Sequence, residues 1–179
     1  MSINDNGIVE ALKENPQNGF RMLMAKYKEP VYWHIRRLVV SHDDAQDASQ
    51  ETFVRIYRSF GNYRGDCSLR SWIYRIATNE ALRIISKRRQ EVVSIESEAT
   101  GVNLIQGDNY IDFDDKVAVK LQKAILLLPP KQQLAFNLRY YEELGFDEIA
   151  KIADSTPTSI KASYHVAKEK IVKYMNSND

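Results

Sequence analysis

Residues 146–171 read FDEIAKIADSTPTSIKASYHVAKEKI, and the fold depends on whether this stretch is one helix or two. Phe146 to Ala153 has the spacing of a short helix, and Thr156-Pro157 starts another. Threonine is a favoured N-cap, and proline suits the first helical position. The second helix carries Ile160, Tyr164, Ala167, Ile171 and Tyr174 at the intervals of a buried stripe. Ala150 is small where the two helices must cross closely. Such a pair is a helix-turn-helix, whose second helix can enter a DNA major groove. Its outward positions, Thr158, Ser159, Lys161, Ala162 and His165, are small or polar and suited to base edges or phosphates. An ordinary helical hairpin with a solvated face has the same spacing, so the stretch alone leaves both readings open.

Upstream, Val117, Leu121, Ala124, Ile125 and Leu128 predict a helix from near Asp115, stopped by Pro129 and Pro130. Another runs from Lys131 to about Tyr141, ahead of Gly145. Further back, the segment from Val92 has no sustained period and is rich in polar and turn residues, which predicts an extended linker. Charge marks the same division. Residues 1–92 hold 15 Lys/Arg against 11 Asp/Glu, residues 93–115 hold six acids and no base, and residues 116–179 hold ten bases against seven acids. The net charge of +1 therefore conceals two mildly basic bodies joined by an acidic segment.

In the N-terminal body, glycine and proline are scarce and β-branched alternation is absent, so helices dominate. Asn18 is the expected cap of a helix whose stripe runs Phe20, Met24, Tyr27, Val31, Ile35 and Leu38, with a kink or break at Pro30. Asp43 or Asp44 opens the next helix. Ala45, Ala48, Thr52, Phe53, Ile56 and Phe60 share one of its faces; Asp47, Gln50, Glu51, Val54 and Arg58 share the other. A valine among carboxylates and amides adds little to folding, so that face is either neutral or bound by something. FGNYRGD, 60–66, reads as a loop. Ser68 then caps a helix to about Ser86, with Leu69, Trp72, Ile73 and Ile76 inward and Ser71, Arg75, Thr78 and Asn79 away from them. The body ends near Arg89. Phe60 and Tyr63 beside Arg64, and the Lys87-Arg88-Arg89 end, suit single-stranded DNA, where bases stack and phosphates meet cations. Core aromatics and a basic helix terminus complementing the dipole are the plainer alternative.

Composition excludes several classes. Apolar residues make up 44% of the 179 residues, enough for real cores. One cysteine, Cys67, rules out an internal disulfide and reads as a small loop residue rather than a redox sensor. The start MSINDNGIVE lacks a signal-peptide pattern, and AILLL at 124–128 is too short to span a bilayer, so a cytoplasmic protein without membrane insertion is expected. His34, His42 and His165 have no ligand spacing with one another or with Cys67. No nucleophile–base pair or phosphate-cradling glycine loop is present. Neither a cofactor nor an enzymatic activity is expected.

The order of the pieces narrows the reading. DAQDASQETFVRIYRSF (44–60), then SLRSWIYRIATNEALR (68–83), then LLLPPKQQLAFNLRYYEELGFDEIAKIADSTPTSIKA (126–162) resembles bacterial sigma factors of the extracytoplasmic-function branch. The resemblance spans roughly residues 16–175. It implies an all-α protein of two helical domains: a sigma domain 2-like bundle (1–91) and a sigma domain 4-like helix-turn-helix (116–179), joined by a flexible acidic linker (92–115). On this resemblance Asp47, Gln50, Glu51, Val54 and Arg58 dock on the β′ clamp helices of core RNA polymerase, whose β flap is a further contact. Tyr63, Arg64, Arg70, Trp72, Arg75, Thr78 and Asn79 bind and melt the −10 element. Thr158, Ser159, Lys161, Ala162, His165 and Lys168 read the −35 element. Promoter DNA and an anti-sigma factor are implied partners.

The sequence also departs from the family pattern. Thr158-Ser159 replaces the usual glycine-threonine ahead of the recognition helix's Ile160-Lys161, and Ser163 and Val166 occupy the usual arginine places. Asp154 stands where a turn glycine is usual; aspartate tolerates a left-handed backbone better than most residues. The acidic linker can either mimic single-stranded nucleic acid along the RNA exit route or serve as a solvated tether. Two other readings compete. A stand-alone regulator dimerising through residues 16–90 leaves the Asp47–Val54 face without a purpose. A protein-only adaptor leaves the Arg75/Asn79 face idle.

Overall fold

A computed structural model describes residues 2–39, 41–93 and 115–177, and every element among them is helical. They fall into two compact units. The first holds α1 (Asp5–Glu14), α2 (Pro16–Val39), α3 (His42–Ser59), a 3-10 turn (Phe60–Asn62) and α4 (Leu69–Val93). The second holds α5 (Lys116–Leu126), α6 (Pro130–Tyr140), α7 (Phe146–Ala153) and α8 (Pro157–Asn176).

Helix α1 precedes everything the apolar pattern had marked. Asn4 caps it, its Oδ1 accepting from the Asn6 amide at 3.0 Å. Ile8 and Leu12 are buried, and Gly19 of α2 permits the close approach: a Cβ there would lie 2.4 Å from the Leu12 nitrogen. Asp5 fastens the join, accepting from the Tyr27 hydroxyl at 2.8 Å and from Lys26 Nζ at 2.7 Å. Burial, then the Asp5 carboxylate, raises the Tyr27 phenol far above its ordinary value, so it remains a donor.

One expectation for α2 is corrected, and of the kink or break expected at Pro30 the break is excluded. The helix starts at Pro16 because Asn15, not Asn18, accepts the first free amide: its Oδ1 lies 3.3 Å from Asn18 N. It also runs unbroken through Pro30. Pro30 is exposed, so water can serve the carbonyl that loses its helical partner. Leu23, Tyr27, Val31, Ile35 and Leu38 then share the buried set with Ala45, Ala48, Phe53 and Ile56 of α3 and with Leu69, Ile73, Tyr74, Ala77 and Ala81 of α4. Phe20 and Met24, expected inward, are half-buried, and Phe20 meets Tyr57 edge-on at 5.2 Å. Helix α4 continues past Ser86 to Val93.

In the second unit, Ala124, Ile125, Leu128, Phe136, Ala167 and Ile171 form the core cluster. Asp115 caps α5, its Oδ1 accepting from Val117 N and Ala118 N at 3.0 and 3.1 Å. Val117, placed inward by periodicity, is exposed, as a first-turn residue can be. Phe136 stacks on Tyr140 (5.2 Å) and Tyr164 (6.1 Å). Of the segment expected as a linker, Val92 and Val93 belong to α4 and Asp115 is the α5 cap; the remainder lies outside the described residues.

Candidate nucleic-acid interface

Helix α3 separates its two faces as its sequence requires. Ala45, Ala48, Thr52, Phe53 and Ile56 are buried, and the one hydroxyl among them, Thr52 Oγ1, donates to the Ala48 carbonyl at 2.7 Å. Asp47, Gln50 and Arg58 are exposed, Glu51 is half-exposed, and Val54 retains 41% of its surface. Tyr57, one turn beyond Val54, is also exposed and extends the apolar strip along that face. The sequence reading had not singled it out.

The loop into α4 is held by its own side chains. Gly65 sits at φ +80, where a side chain would be strained. The Tyr63 hydroxyl donates to the Cys67 carbonyl at 2.8 Å, and burial raises its phenol above the ordinary value. Its ring lies 5.3 Å from Trp72 and 6.4 Å from Phe60, so three aromatics gather at the start of α4. Ser68 Oγ accepts from Ser71 N at 3.1 Å and caps the helix. Arg64, Arg75 and Asn79 are exposed; Trp72 and Arg70 are half-buried, with the Arg70 guanidinium 5.6 Å above the Tyr74 ring.

Ser71 and Thr78 are corrected. Both are buried, Thr78 with only 1% of its surface exposed, so neither lies on the outer face. Thr78 Oγ1 is 2.8 Å from Nε2 of His34, whose ring stands 5.0 Å from that of Tyr74. Polarity suggested an outward position, but a buried imidazole on α2 supplies the partner that polarity needs. Burial, with the nearby Arg37 charge, pushes the His34 imidazole down to about 3, so it is neutral at ordinary pH.

Between α3 and α4 an open groove is lined by Glu51, Arg55, Arg58, Asn62, Asn79 and Glu80, among others. Glu80 is 3% exposed. It is paired with Arg55 at 2.5 Å and Arg83 at 2.6 Å. Sequence reasoning missed both Arg55 and Glu80. The Glu80–Arg83 spacing is an ordinary helical pair, and nothing local shows that Arg55 arrives from another helix.

In the second unit, the turn between α7 and α8 has Asp154 in the left-handed region (φ 52, ψ 53), the conformation expected where glycine is missing. Thr156 Oγ1 accepts from Ser159 N at 3.2 Å, the expected cap, worth about 1 kcal/mol. Ile160, Ala167 and Ile171 are buried. Thr158, Lys161, Ala162, His165 and Lys168 are exposed, and Ser159 is half-buried. Lys131 at the start of α6 donates to Ser159 Oγ at 2.8 Å, bringing a further cation beside the helix where the usual arginines are absent. Among the described residues, no group of His, Cys, Asp and Glu could hold a metal ion, and no helix is long and apolar enough to cross a membrane.

Comparison with known proteins accords with both units. The Sigma-70 region 2 family model matches residues 23–91, and that of Sigma-70 region 4 matches residues 118–171. The chain is 28% identical to the RNA polymerase sigma-H factor of Pseudomonas aeruginosa, over 94% of its own length and 92% of the relative's. It is 27% identical to the ECF RNA polymerase sigma factor SigW of Bacillus subtilis, over 93% and 94% of the two chains. Among solved structures it resembles the sigma factor RpoE bound to the anti-sigma factor NepR from Bartonella quintana. That likeness has a TM-score of 0.70 at 21% identity, covering 89% of this chain and 98% of that one. It also resembles CnrH in complex with the cytosolic domain of CnrY, with a TM-score of 0.71 at 15% identity, covering 98% and 99%. At those identities the structural likeness is one of fold.

Proposed function

The chain belongs to the extracytoplasmic-function branch of bacterial sigma factors, and on that premise we propose how its surfaces divide the work of starting transcription. It is an alternative sigma factor that binds core RNA polymerase and directs initiation at particular promoters. Within that role, Asp47, Gln50, Glu51, Val54 and Arg58 take the β′ clamp helices. Tyr63, Arg64, Arg70, Trp72, Arg75 and Asn79 take the −10 element; buried Thr78 supports them from inside. Thr158, Ser159, Lys161, Ala162, His165 and Lys168 take the −35 element. The domains divide accordingly, residues 1–91 docking and melting, residues 116–179 reading the upstream duplex beside the β flap.

One observation carries the reading most directly: Val54 is left open among Asp47, Gln50 and Glu51 on a helix whose opposite face is buried. With exposed Tyr57 one turn on, Val54 makes a short apolar strip ringed by polar groups, a surface that suits a protein partner. Charge supports the same division of labour. Melting and bending DNA costs several kcal/mol, and a body with 15 bases against 11 acids has little charge to offset it alone. Polymerase supplies the rest. The protein acts as a non-enzymatic, cytoplasmic specificity subunit. An anti-sigma factor is a further partner, as in the structurally similar complex of RpoE with the anti-sigma factor NepR.

Promoter-directed transcription with and without purified core polymerase tests the reading. Expected is specific initiation that requires both proteins and no tight operator binding by the chain alone. Sequence-specific duplex binding without polymerase, with no stimulation of initiation, would replace the reading with that of a stand-alone regulator.

A further inference from the structure

Glu80 is adjacent to Asn79 on α4, yet its carboxylate is buried while Asn79 is exposed. An acid so far from water needs partners. Glu80 Oε1 accepts from Arg55 Nε at 2.5 Å and Oε2 from Arg83 at 2.6 Å. Arg55 reaches it from α3 and stands at the same time 3.4 Å from Glu51, on the face assigned to polymerase. Arg55, Glu51 and Asn79 line one groove. About half of the Arg55 side chain is open to that groove, with 47% exposed, so the buried carboxylate beneath it fixes a cation that a ligand would meet.

The two carboxylates hold Arg55 unequally. Glu80 is buried and close. Glu51 is longer in contact, half-exposed and screened by solvent. An arginine on a free stem would have to give up rotamer freedom on meeting a strand; one already held by Glu80 gives up less. We propose that Glu80 is the positioning residue of this groove: it fixes the Arg55 guanidinium where the melted −10 strand passes, and Arg55 in turn links that strand to Glu51 on the docking face. A polymerase cation that engages Glu51 withdraws it from Arg55, and the guanidinium then settles on Glu80 alone. Docking thereby selects one arginine geometry in the groove. The inference rests on the docking and −10 assignments above.

The competing role for Glu80 is structural, a clasp between α3 and α4. A clasp sets stability but not base preference. Full-length wild type, Glu80→Gln, Arg55→Gln and the double variant are assembled with saturating core polymerase. Open-complex formation is then compared on promoters altered base by base through the −10 element. Arg55→Gln removes a half-exposed head and leaves Glu80 its Arg83 partner, so the test stands even if Glu80→Gln folds poorly. Tryptophan fluorescence checks the fold of each. Each single variant is expected to slow opening about tenfold and flatten preference at the same base. The double variant is expected to be no worse than either, as for residues acting as a unit. Normal opening and unchanged base preference in Arg55→Gln would overturn the positioning role, as would a Glu80→Gln defect that only follows lost stability.

The link to Glu51 is read separately. Because docking must take Glu51 from Arg55, Arg55→Gln should tighten core-polymerase binding in the wild-type background and leave it unchanged in the Glu51→Gln background. Equal effects in both backgrounds break the link. Wild-type polymerase affinity in both Glu51→Gln and Asp47→Arg would remove the docking assignment and the link with it, while the opening data still decide the positioning of Arg55.

Discussion

At the scale of single residues, His34 is a group whose protonation in the acid range differs between folded and unfolded chains. Buried against Thr78 and Tyr74, it stays neutral down to about pH 3, whereas in the unfolded chain it takes a proton near its ordinary value of 6.5. Below pH 6.5 the unfolded state therefore binds more protons, and stability falls as pH falls. The contribution is fully present above 6.5 and declines by up to ~1.4 kcal/mol per pH unit on the way down to about 3. Between pH 7 and 5 the first unit should lose about 2 kcal/mol from this group. Both tryptophans, Trp33 and Trp72, belong to that unit, so urea unfolding followed by their fluorescence reports on it alone. His34→Gln should be less stable at pH 7 but show a smaller loss on acidification. An unchanged pH slope in that variant would assign the acid sensitivity elsewhere.

Among elements, the join of α1 to α2 gives a prediction whose sign is informative. In a free helix, Gly19→Ala would stabilise by about 1 kcal/mol through helix propensity. Here the added methyl would meet the Leu12 backbone, which cannot swing aside as a side chain can. Overpacking of this kind costs roughly 1–3 kcal/mol, so net destabilisation is expected, together with faster amide hydrogen exchange along α1. A more stable Gly19→Ala protein would show that α1 is not held against α2. This helix also marks what the sequence made legible. The α7–turn–α8 pair was read to the residue because Thr156, Pro157 and Asp154 each have a local conformational reason for their place. The α3 faces were equally plain, since apolar spacing alone separates them. Helix α1 and the start of α2 escaped because their signals are a glycine that serves close packing and an asparagine, Asn15, that caps from three residues further back than Asn18. Thr78 was misplaced because polarity stood in for exposure, and only the fold reveals the His34 partner. Arg55 and Glu80 were invisible for a related reason: an ion pair between helices leaves no periodicity.

For the whole molecule, the proposed division into one face for polymerase and others for DNA predicts that substitutions separate the two. Asp47→Arg with Glu51→Arg changes the outer side of α3 and leaves its buried set untouched. Core-polymerase affinity should drop by about tenfold or more, with the tryptophan-monitored unfolding of the first unit nearly unchanged. A pull-down at wild-type affinity by the folded double variant would reject that surface. The last helix carries a different consequence. Of its twenty residues, Ile160, Ala167 and Ile171 are the buried ones, and its start is fixed by Thr156 and Pro157. The positions facing outward, Thr158, Lys161, Ala162, His165 and Lys168, owe almost nothing to folding. On the proposed −35 reading, a copy of this chain made by gene duplication can drift at those five places while it still folds and still competes for the same polymerase. A bacterium can thus acquire a new set of responsive promoters by altering a few surface side chains, without a period in which the duplicate is unstable.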